Sequence, residues 1–299
     1  MTLRAFVAAE LERAVPPMVA EAAGSIAAAL NGDAVLFYGS VLRTADLDGV
    51  LDFYVLRRSG TATGVSRHVW PDVSYHEVAV GDRVIRAKVA TMDLDTFERA
   101  TAGRSRDTTI WARFVQPVAL IQVADAATRD RIVAAVTDAG VTAARFAALH
   151  GPARGAAGDY WRSLFRATYA TELRVEAPGR EDQILSYDRA RYDALLPLAW
   201  DAAGVAFARD MDTLAPDLPT SQRQALARRW SRACRWGKKL NALRLVKAAF
   251  TFDGATRYAL WKIERHTGLS LPLTPFRERH PLIAAPGVLW RLWQHQAAR

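Results

Sequence analysis

The stretch FYGSVLRTADLDGVLDFYVL, residues 37–56, decides how the N-terminal part of the chain is interpreted. Apolar runs at residues 34–38 and 51–56 predict two buried strands, and a Gly39-Ser40 pair leaves the first of them. Three aspartates follow this pair within a span of seven residues: Asp46, Asp48 and Asp52. Glycine lets a ligand approach the backbone closely, and carboxylate oxygens suit a divalent cation. The stretch therefore predicts a turn that binds phosphate beside a cluster of acidic residues.

The segments around this stretch predict an α+β arrangement. Two alanine-rich helices, broken at Pro16-Pro17, are predicted before it. After it, two β-rich runs flank Gly81-Asp82, which is a strong hairpin signal. The sequence MDLDTFERATAG then predicts a helix that begins near Asp93 and ends at Gly103. A further strand at the end of WARFVQPVALIQV completes a predicted mixed β-sheet with flanking helices.

The pattern becomes helical after residue 125. Apolar residues at helical spacing predict a series of helices, over 126–139, 141–150, 158–176, 187–208 and 221–250. A short β-like FTF segment, another helix and a Pro-rich tail follow. We therefore divide the chain into a mixed α/β domain, 1–125, and a mainly helical C-terminal domain, 126–299. A ligand pocket is expected between the two domains.

Composition limits the class of protein. The sequence has 299 residues, of which 51% are hydrophobic, so a substantial core is expected. A single cysteine, Cys234, rules out an internal disulfide framework and a cysteine-based metal site. The N-terminus is typical of a short amphipathic helix rather than a secretory signal, and no apolar run approaches the ~18 residues of a membrane span. A cytoplasmic protein, soluble or peripheral to a membrane, is predicted.

The positive charge is concentrated near the C-terminus. The net charge is +9, and residues 221–299 contain 16 Lys and Arg against three acidic residues. Five of the nine tryptophans lie in the same part of the chain. A basic, Trp-rich segment at 223–247 is typical of binding to an anionic membrane surface or to nucleic acid. A solvated helix face with tryptophans in the core is the structural alternative.

The Gly-Ser pair and the acidic strand resemble the polymerase-β-like nucleotidyltransferase superfamily. In this chemistry Gly39, Ser40 and Arg43 bind the triphosphate, while carboxylates on the adjacent strand hold Mg²⁺. The chain departs from the usual Asp-x-Asp pattern, because Val50 stands two residues before Asp52. Asp46 and Asp48 have the required spacing but precede the strand, so the second metal ligand is left open.

A narrower resemblance is to the mitochondrial-type phosphatidate cytidylyltransferases, over about residues 34–175. The matching motifs are Tyr38-Gly39-Ser40 and Leu51-Asp52-Phe53, then a hairpin with a basic residue in its second strand, Arg86 or Lys88. The segments 111–118, with Arg113, and 168–174, with Glu172 and Arg174, follow in the same order. Two departures from the family are Gln116, where the family has lysine, and Glu172, where it has aspartate.

The resemblance implies an enzyme that uses Mg²⁺ to convert CTP and phosphatidic acid into CDP-diacylglycerol and pyrophosphate. It implies that Gly39 and Ser40 bind the triphosphate and that Asp52 binds Mg²⁺. Candidates for the second metal position are Asp46, Asp48 and Glu172. Candidates for contacts to the two anionic substrates are Arg43, Arg86, Lys88, Arg113 and Arg174. The segment 223–247 would then hold the protein at the inner face of the membrane.

Two other functions are compatible with the same residues. The first is a nucleotidyltransferase that acts on RNA, a protein or a small molecule, with the basic C-terminal segment holding nucleic acid. The second is an inactive nucleotidyltransferase fold that serves as a membrane or nucleic-acid binding module. The incomplete Asp-x-Asp pattern favours the inactive fold, and the ordered downstream motifs argue against it.

Overall fold

A computed structural model describes residues 1–44, 46–62, 64–171, 179–279, 286–287 and 290–291. The α+β class predicted from the sequence is confirmed, because a mixed five-stranded sheet is surrounded by helices. The strands of this sheet are β1 Ala34–Tyr38, β2 Leu51–Arg57, β3 Asp72–Val80, β4 Arg83–Asp93 and β5 Val118–Val123. The helices are α1 Leu3–Leu11, α2 Pro17–Leu30, α3 Ser40–Thr44, α4 Leu94–Thr101, α5 Thr109–Phe114, α6 Ala126–His150, α7 Ala157–Thr171, α8 Arg180–Ser186, α9 Arg189–Ala203, α10 Thr220–Thr251, α11 Ala255–Thr267 and α12 Pro275–Arg279.

The strand order in the sheet is β3-β4-β2-β1-β5. Strands β2 and β4 are parallel, and the other neighbours are antiparallel. The predicted hairpin is confirmed, since β3 and β4 are joined at Gly81-Asp82 and Gly81 has a positive φ of 59°. A left-handed residue at this turn suits the twist of a two-residue hairpin. The parallel β2–β4 pair brings the start of β2 next to the middle of β4.

The sheet is buried on both faces. Phe37 and Phe53 point to the face covered by α2, where Ile26 packs among them in one core. Leu36 and Tyr54 point to the opposite face, which belongs to a larger core with helices from both sides of residue 125. The helical half of the chain therefore packs directly on the sheet, and the division at residue 125 stays a prediction.

Several predicted boundaries were wrong. The predicted break between the first two C-terminal helices is absent, because α6 continues through Gly140, where a Cβ would lie 3.6 Å from a methyl carbon of Leu3. A single helical glycine costs only about 1 kcal/mol, which packing can offset. The predicted helix 187–208 ends instead at Ala203 with Gly204 at φ 66°. A hairpin follows it, made of β6 Ala206–Asp210 and β7 Thr213–Asp217.

The FTF segment does not form a strand. Helix α10 continues to Thr251, and only Asp253 makes an isolated bridge, to Ser74 of β3. Gly254 then turns the chain into α11 with φ 75°. Of the three residues, the first two belong to the end of α10, and Phe252 follows the helix with an extended backbone.

Helix α6 is the one helix in the described ranges that is long and apolar enough to cross a membrane. Of the 18-residue stretch of α6 that meets this criterion, 67% is buried inside the protein. The expectation that no segment reaches this length and apolar composition was therefore wrong for α6. A buried core helix of a globular protein meets the same criterion.

Asp93 precedes α4 as predicted, but its carboxylate binds a different part of the chain. It accepts hydrogen bonds from the Gly60 amide at 3.0 Å, the Thr61 hydroxyl at 2.8 Å and the Ala62 amide at 3.2 Å. Its side chain makes no capping hydrogen bond to α4. Because Asp93 is only 7% exposed, water cannot replace these three bonds easily. The carboxylate therefore fixes the loop that follows β2.

Replacement of Asp93 by alanine is expected to lower the free energy of unfolding by about 2 kcal/mol, because three hydrogen bonds to one buried, charged acceptor are lost. Urea denaturation of the purified protein measures the change. Asp95→Ala is the control, since Asp95 makes an exposed ion pair with Arg131 whose loss costs about 1 kcal/mol or less. Equal losses in the two variants would contradict the assigned role of Asp93.

Candidate functional site

Three polar side chains form a row across the sheet at the end of β1. Tyr38 is paired with Asp52 across the β1–β2 ladder, and Asp52 is paired with Lys88 across the β2–β4 ladder. Directly paired residues on neighbouring strands point to the same face. The row therefore lies on the face that also carries Tyr54, and Asp52 is half-buried there.

Gly39 brings the backbone against the Asp52 carboxylate. Its φ is 94°, which favours glycine, and a Cβ at this position would lie 2.6 Å from Asp52 Oδ2. Ser40 is the first residue of α3 and is exposed. The turn thus leaves an accessible backbone and a hydroxyl beside a carboxylate, as the sequence predicted.

These residues line a cavity of about 220 Å³, which we call the Gly-Ser cavity. Six of the predicted site residues come together in it: Gly39, Ser40, Arg43, Asp52, Lys88 and Arg113. Tyr38, Gln116, Pro117, Tyr169, Arg180 and Ile184 complete the lining. Among the described residues, the lining therefore carries four cationic side chains and one carboxylate. This balance of charge suits a polyanionic ligand.

Arg43 extends into the Gly-Ser cavity from the last turn of α3. Its Nη1 lies 3.5 Å from Gln116 Oε1, and its guanidinium stacks 5.7 Å from the ring centroid of Tyr187. Its Nε is buried without a hydrogen-bond partner among the described residues. Burial lowers the pKa of Arg43, and the nearby Arg180 acts in the same direction.

Arg113 reaches the Gly-Ser cavity from the last turn of α5. Its Nη1 donates to the Tyr54 hydroxyl at 3.1 Å, and its guanidinium lies 5.3 Å from the ring centroid of Tyr38. The adjacent Trp111 is 2% exposed and stacks on Phe146 in the core, so it does not hold Arg113. Two tyrosines therefore orient Arg113 toward the end of the sheet.

The other predicted acidic residues lie away from Asp52. The Asp48 side chain is 79% exposed and accepts from Arg83 Nη2 at 2.8 Å. The Asp46 carboxylate accepts from the Asp48 amide at 3.1 Å and lies 3.9 Å from Arg265. Neither aspartate lines the Gly-Ser cavity. Glu172, the remaining candidate, lies outside the described residues, as does Arg174.

Arg86 also lies away from the cavity lining. It is paired with Glu77 across the β3–β4 ladder, and its Nε is 3.5 Å from a carboxylate oxygen of that residue. Its guanidinium also lies 5.7 Å from the ring centroid of Trp261 on α11. Of the two basic residues predicted on β4, only Lys88 lines the Gly-Ser cavity.

The carboxylates around the Gly-Ser cavity suit a metal ion that is held mainly by substrate phosphates and water. Within the described ranges, no group of three or more His, Cys, Asp or Glu side chains could hold a metal ion. Asp52 is the carboxylate present in the described lining of the Gly-Ser cavity. Mg²⁺ is often bound through one or two carboxylates together with substrate phosphates and water. Asp52 fits such a site. The described residues do not fit a site in which protein side chains supply all the metal ligands.

A second cavity of about 350 Å³ lies between the sheet and α10, and we call it the α10 cavity. It shares three lining residues with the Gly-Ser cavity: Tyr38, Lys88 and Arg113. The apolar part of its lining consists of Pro71, Val73, Ala90, Leu245, Ala248 and Phe252. Arg244 and Lys247 add positive charge to the same wall. Polar and apolar groups thus meet within one pocket.

Arg244 and Lys247 attach α10 to loops around the sheet. Arg244 Nε donates to the Trp70 carbonyl at 2.7 Å, and its Nη1 pairs with the buried Asp107. Lys247 is 8% exposed, pairs with Asp72 and donates to the Val69 carbonyl. Both residues belong to the segment predicted to face a membrane, and that prediction was wrong for them.

Sequence reasoning missed Tyr169, Arg180, Arg244 and Lys247 as lining residues. Arg180 begins α8 in a polar segment without any local motif, so no signal in the sequence marks it. Arg244 and Lys247 stand three residues apart, a spacing that places them on one face of α10. The exposed Arg232, Arg235 and Lys238 have the same spacing, so it does not separate the packed cations from the outward-facing ones.

The outward face of α10 changes in character along its length. Its exposed cations lie in the first two thirds: Arg223, Arg228, Arg232, Arg235, Lys238 and Lys239. Its last third exposes apolar side chains, with Leu243 46% and Val246 56% exposed. Trp236, between the two parts, is 39% exposed. A cationic band next to exposed apolar residues is typical of interfacial helices.

No protein-family model matches the chain, and no curated protein is significantly similar to it.

Proposed function

We propose that the protein is a Mg²⁺-dependent cytidylyltransferase that transfers CMP from CTP to phosphatidic acid at a membrane surface. The observation that carries the proposal is the meeting of Gly39, Ser40 and Asp52 with four cationic side chains in the Gly-Ser cavity. A glycine turn, a hydroxyl, a carboxylate and several cations are the groups that bind a metal triphosphate. The proposal also assigns the polymerase-β-like nucleotidyltransferase fold to the sheet.

The residues of the Gly-Ser cavity suggest a division of roles. Gly39 and Ser40 would bind phosphate oxygens of CTP, and the guanidinium of Arg43, which lines the same cavity, would bind the same triphosphate. Asp52 would hold Mg²⁺, which, when bound, neutralises charge on the α-phosphate and on the leaving pyrophosphate. Lys88 and Arg113 line both the Gly-Ser cavity and the α10 cavity, so each is near both proposed substrates.

The proposed reaction makes modest demands on acid–base catalysis. A phosphate oxygen of phosphatidic acid forms a bond to the α-phosphorus of CTP, and the bond from that phosphorus to the bridging oxygen of pyrophosphate breaks. A phosphomonoester is largely ionised near pH 7, because its second pKa is about 6. Positioning and charge neutralisation therefore supply most of the rate. The cationic lining of the Gly-Ser cavity suits both tasks.

The α10 cavity is the proposed site for phosphatidic acid. Its apolar wall, from Val73 to Leu245 and Phe252, is suited to the lipid part nearest the headgroup. Lys88 and Arg113 at the junction of the two cavities are suited to the phosphate. The exposed apolar end of α10 lies on the same helix, so lipid can be drawn from the membrane to which that helix binds. The proposal implies a cytoplasmic protein, peripheral to the inner face of the membrane.

Substitution of both Leu243 and Val246 by asparagine is expected to lower binding to vesicles about tenfold, because two interfacial apolar side chains are lost. Flotation with phosphatidate-containing vesicles at low salt measures this change. Val84→Asn combined with Leu273→Asn is the matched control, since these side chains are 50% and 40% exposed elsewhere on the surface. Equal binding of the two double variants would exclude the end of α10 as the membrane contact.

The proposed reaction is tested with purified protein, Mg²⁺, each labelled nucleoside triphosphate and phosphatidate vesicles. Formation of a liponucleotide from CTP alone supports the proposal. Transfer of label to RNA, to the protein or to a small acceptor would show instead that the protein is a nucleotidyltransferase with a different acceptor.

The single carboxylate in the described lining of the Gly-Ser cavity favours a second candidate, an inactive fold that binds membranes or nucleic acid. Tight binding of nucleotide or lipid without turnover would select that candidate.

A further inference from the structure

A third cavity, of about 520 Å³, lies between residues 102–108, α6 and α10. It shares no lining residue with the Gly-Ser cavity or the α10 cavity. We call it the arginine cavity, because five arginines line it: Arg104, Arg106, Arg145, Arg229 and Arg232. The mechanism proposed above uses none of these residues.

The positive charge of the arginine cavity is only partly balanced by the protein. Its lining contains two carboxylates, Asp107 and Asp138. Asp107 is already paired with Arg244, which approaches from the α10 cavity. Asp138 is exposed, and partial desolvation raises the pKa of its carboxyl, which Arg104 and Arg145 oppose. Five arginines therefore face one carboxylate that is not already held by a cation from elsewhere.

The arginines that lie deepest in the arginine cavity are held by neutral groups. Arg229 Nη2 donates to the Gly103 carbonyl at 2.9 Å, and its guanidinium lies 5.9 Å from the ring centroid of Phe146. Arg145 Nη2 donates to the Ala203 carbonyl at 3.0 Å. These contacts orient the guanidinium groups without neutralising them. Burial lowers the pKa of Arg229, and Arg145 and Arg232 lower it further by like-charge repulsion.

We propose that the arginine cavity binds a phosphate-bearing anion at a site separate from the Gly-Ser cavity. Several guanidinium groups that converge on one space present forked donors, which match the oxygens of phosphate better than an ammonium does. A bound anion would relieve the repulsion among the arginines and replace the water lost by burial. The anion is either a soluble phosphate compound or the phosphate headgroup of an anionic lipid.

The test compares two double variants of equal net charge. Arg104→Gln with Arg232→Gln removes two exposed side chains of the arginine cavity. Arg228→Gln with Arg235→Gln removes two exposed arginines of α10 that do not line the cavity. Because all four side chains are exposed, both proteins are expected to fold, and their melting temperatures check this. Arg104→Lys with Arg232→Lys keeps the charge but loses the forked donors.

The first probe is inorganic pyrophosphate, titrated by calorimetry with and without excess CTP. Without CTP, we expect pyrophosphate binding to weaken about tenfold in the cavity variant but not in the control. The lysine variant is expected to fall between them. CTP carries phosphates of its own and can enter either cavity, so the assignment depends on the difference between the two double variants without CTP. Failure of the proposed function would leave that difference intact.

The second probe is retention on vesicles of phosphatidylcholine with and without phosphatidic acid. A loss of pyrophosphate binding alone, relative to the control, identifies a site for soluble phosphate compounds. A specific loss of vesicle retention, with or without loss of pyrophosphate binding, identifies a site for a lipid headgroup. Equal behaviour of the two double variants with both probes would overturn the inference.

Discussion

Replacement of Asp52 by asparagine is expected to lower CTP turnover by about a thousandfold while the protein stays folded. Asparagine keeps the size of the side chain but removes the negative charge that Mg²⁺ requires. In the described lining of the Gly-Ser cavity Asp52 is the carboxylate that faces four cations, so its loss also leaves their charge unbalanced. Steady-state release of pyrophosphate from CTP and phosphatidate vesicles measures the effect.

Asp48→Asn is the matched control for this experiment. Its side chain is 79% exposed and is paired with Arg83 outside the Gly-Ser cavity, so we expect turnover within about threefold of the starting protein. Chelation of Mg²⁺ should stop the reaction in both the starting protein and the control, and added Mg²⁺ should restore it. Retained activity in Asp52→Asn would remove the metal assignment. An equally large loss in Asp48→Asn would show that the connection before β2 reaches the metal.

The centre of the site could be predicted because its parts lie close together in the sequence. An apolar run ending in Tyr38-Gly39-Ser40 requires a strand and a turn, and a second apolar run containing Asp52 requires a neighbouring strand. The hairpin at Gly81-Asp82 fixes β4, and the side-chain phase of that strand left Arg86 and Lys88 as alternatives. The structure selects Lys88, because its partner in the β2–β4 ladder is Asp52.

The acidic residues were harder to assign, because their spacing in the sequence does not determine where the connection between β1 and β2 places them in the fold. Asp46 and Asp48 have the separation of a metal-binding pair, but the connection that carries them runs toward the start of β4. There Asp48 meets Arg83, a partner 35 residues further along the chain. Only the path of the connection in three dimensions decides which carboxylates approach Asp52.

The roles of the basic residues of α10 could not be assigned from the sequence either. The charges of residues 223–247 are distributed around α10, and the sequence did not indicate which face would pack. In the structure Arg229 and Arg232 line the arginine cavity, and Arg244 and Lys247 hold loops near the sheet. The other cations of α10 are exposed on its surface. One run of basic residues is thus divided among a surface, a cavity and an internal contact. Tertiary packing makes that division, and helical periodicity alone does not.

Substitution of Gly39 by alanine is expected to lower CTP turnover about a hundredfold, because the backbone of the turn and the Asp52 carboxylate can no longer keep their positions. The new Cβ would lie 2.6 Å from Asp52 Oδ2 and 3.2 Å from Asp52 Cβ. The carboxylate must therefore rotate away from the turn. The positive φ of 94° adds backbone strain of about 1–2 kcal/mol for a residue with a side chain.

Gly81→Ala separates the effect of strain from the effect of contact. Gly81 has a φ of 59°, but no atom lies within 4 Å of the position that its Cβ would take. Both substitutions are therefore expected to lower the free energy of unfolding by about 1–2 kcal/mol. Only Gly39→Ala should also lower turnover, since only its Cβ meets a residue of the Gly-Ser cavity. Urea denaturation and pyrophosphate release, measured on both variants, make the comparison. Turnover by Gly39→Ala within about threefold of that of Gly81→Ala would mean that the close approach of backbone and carboxylate is not needed for the reaction.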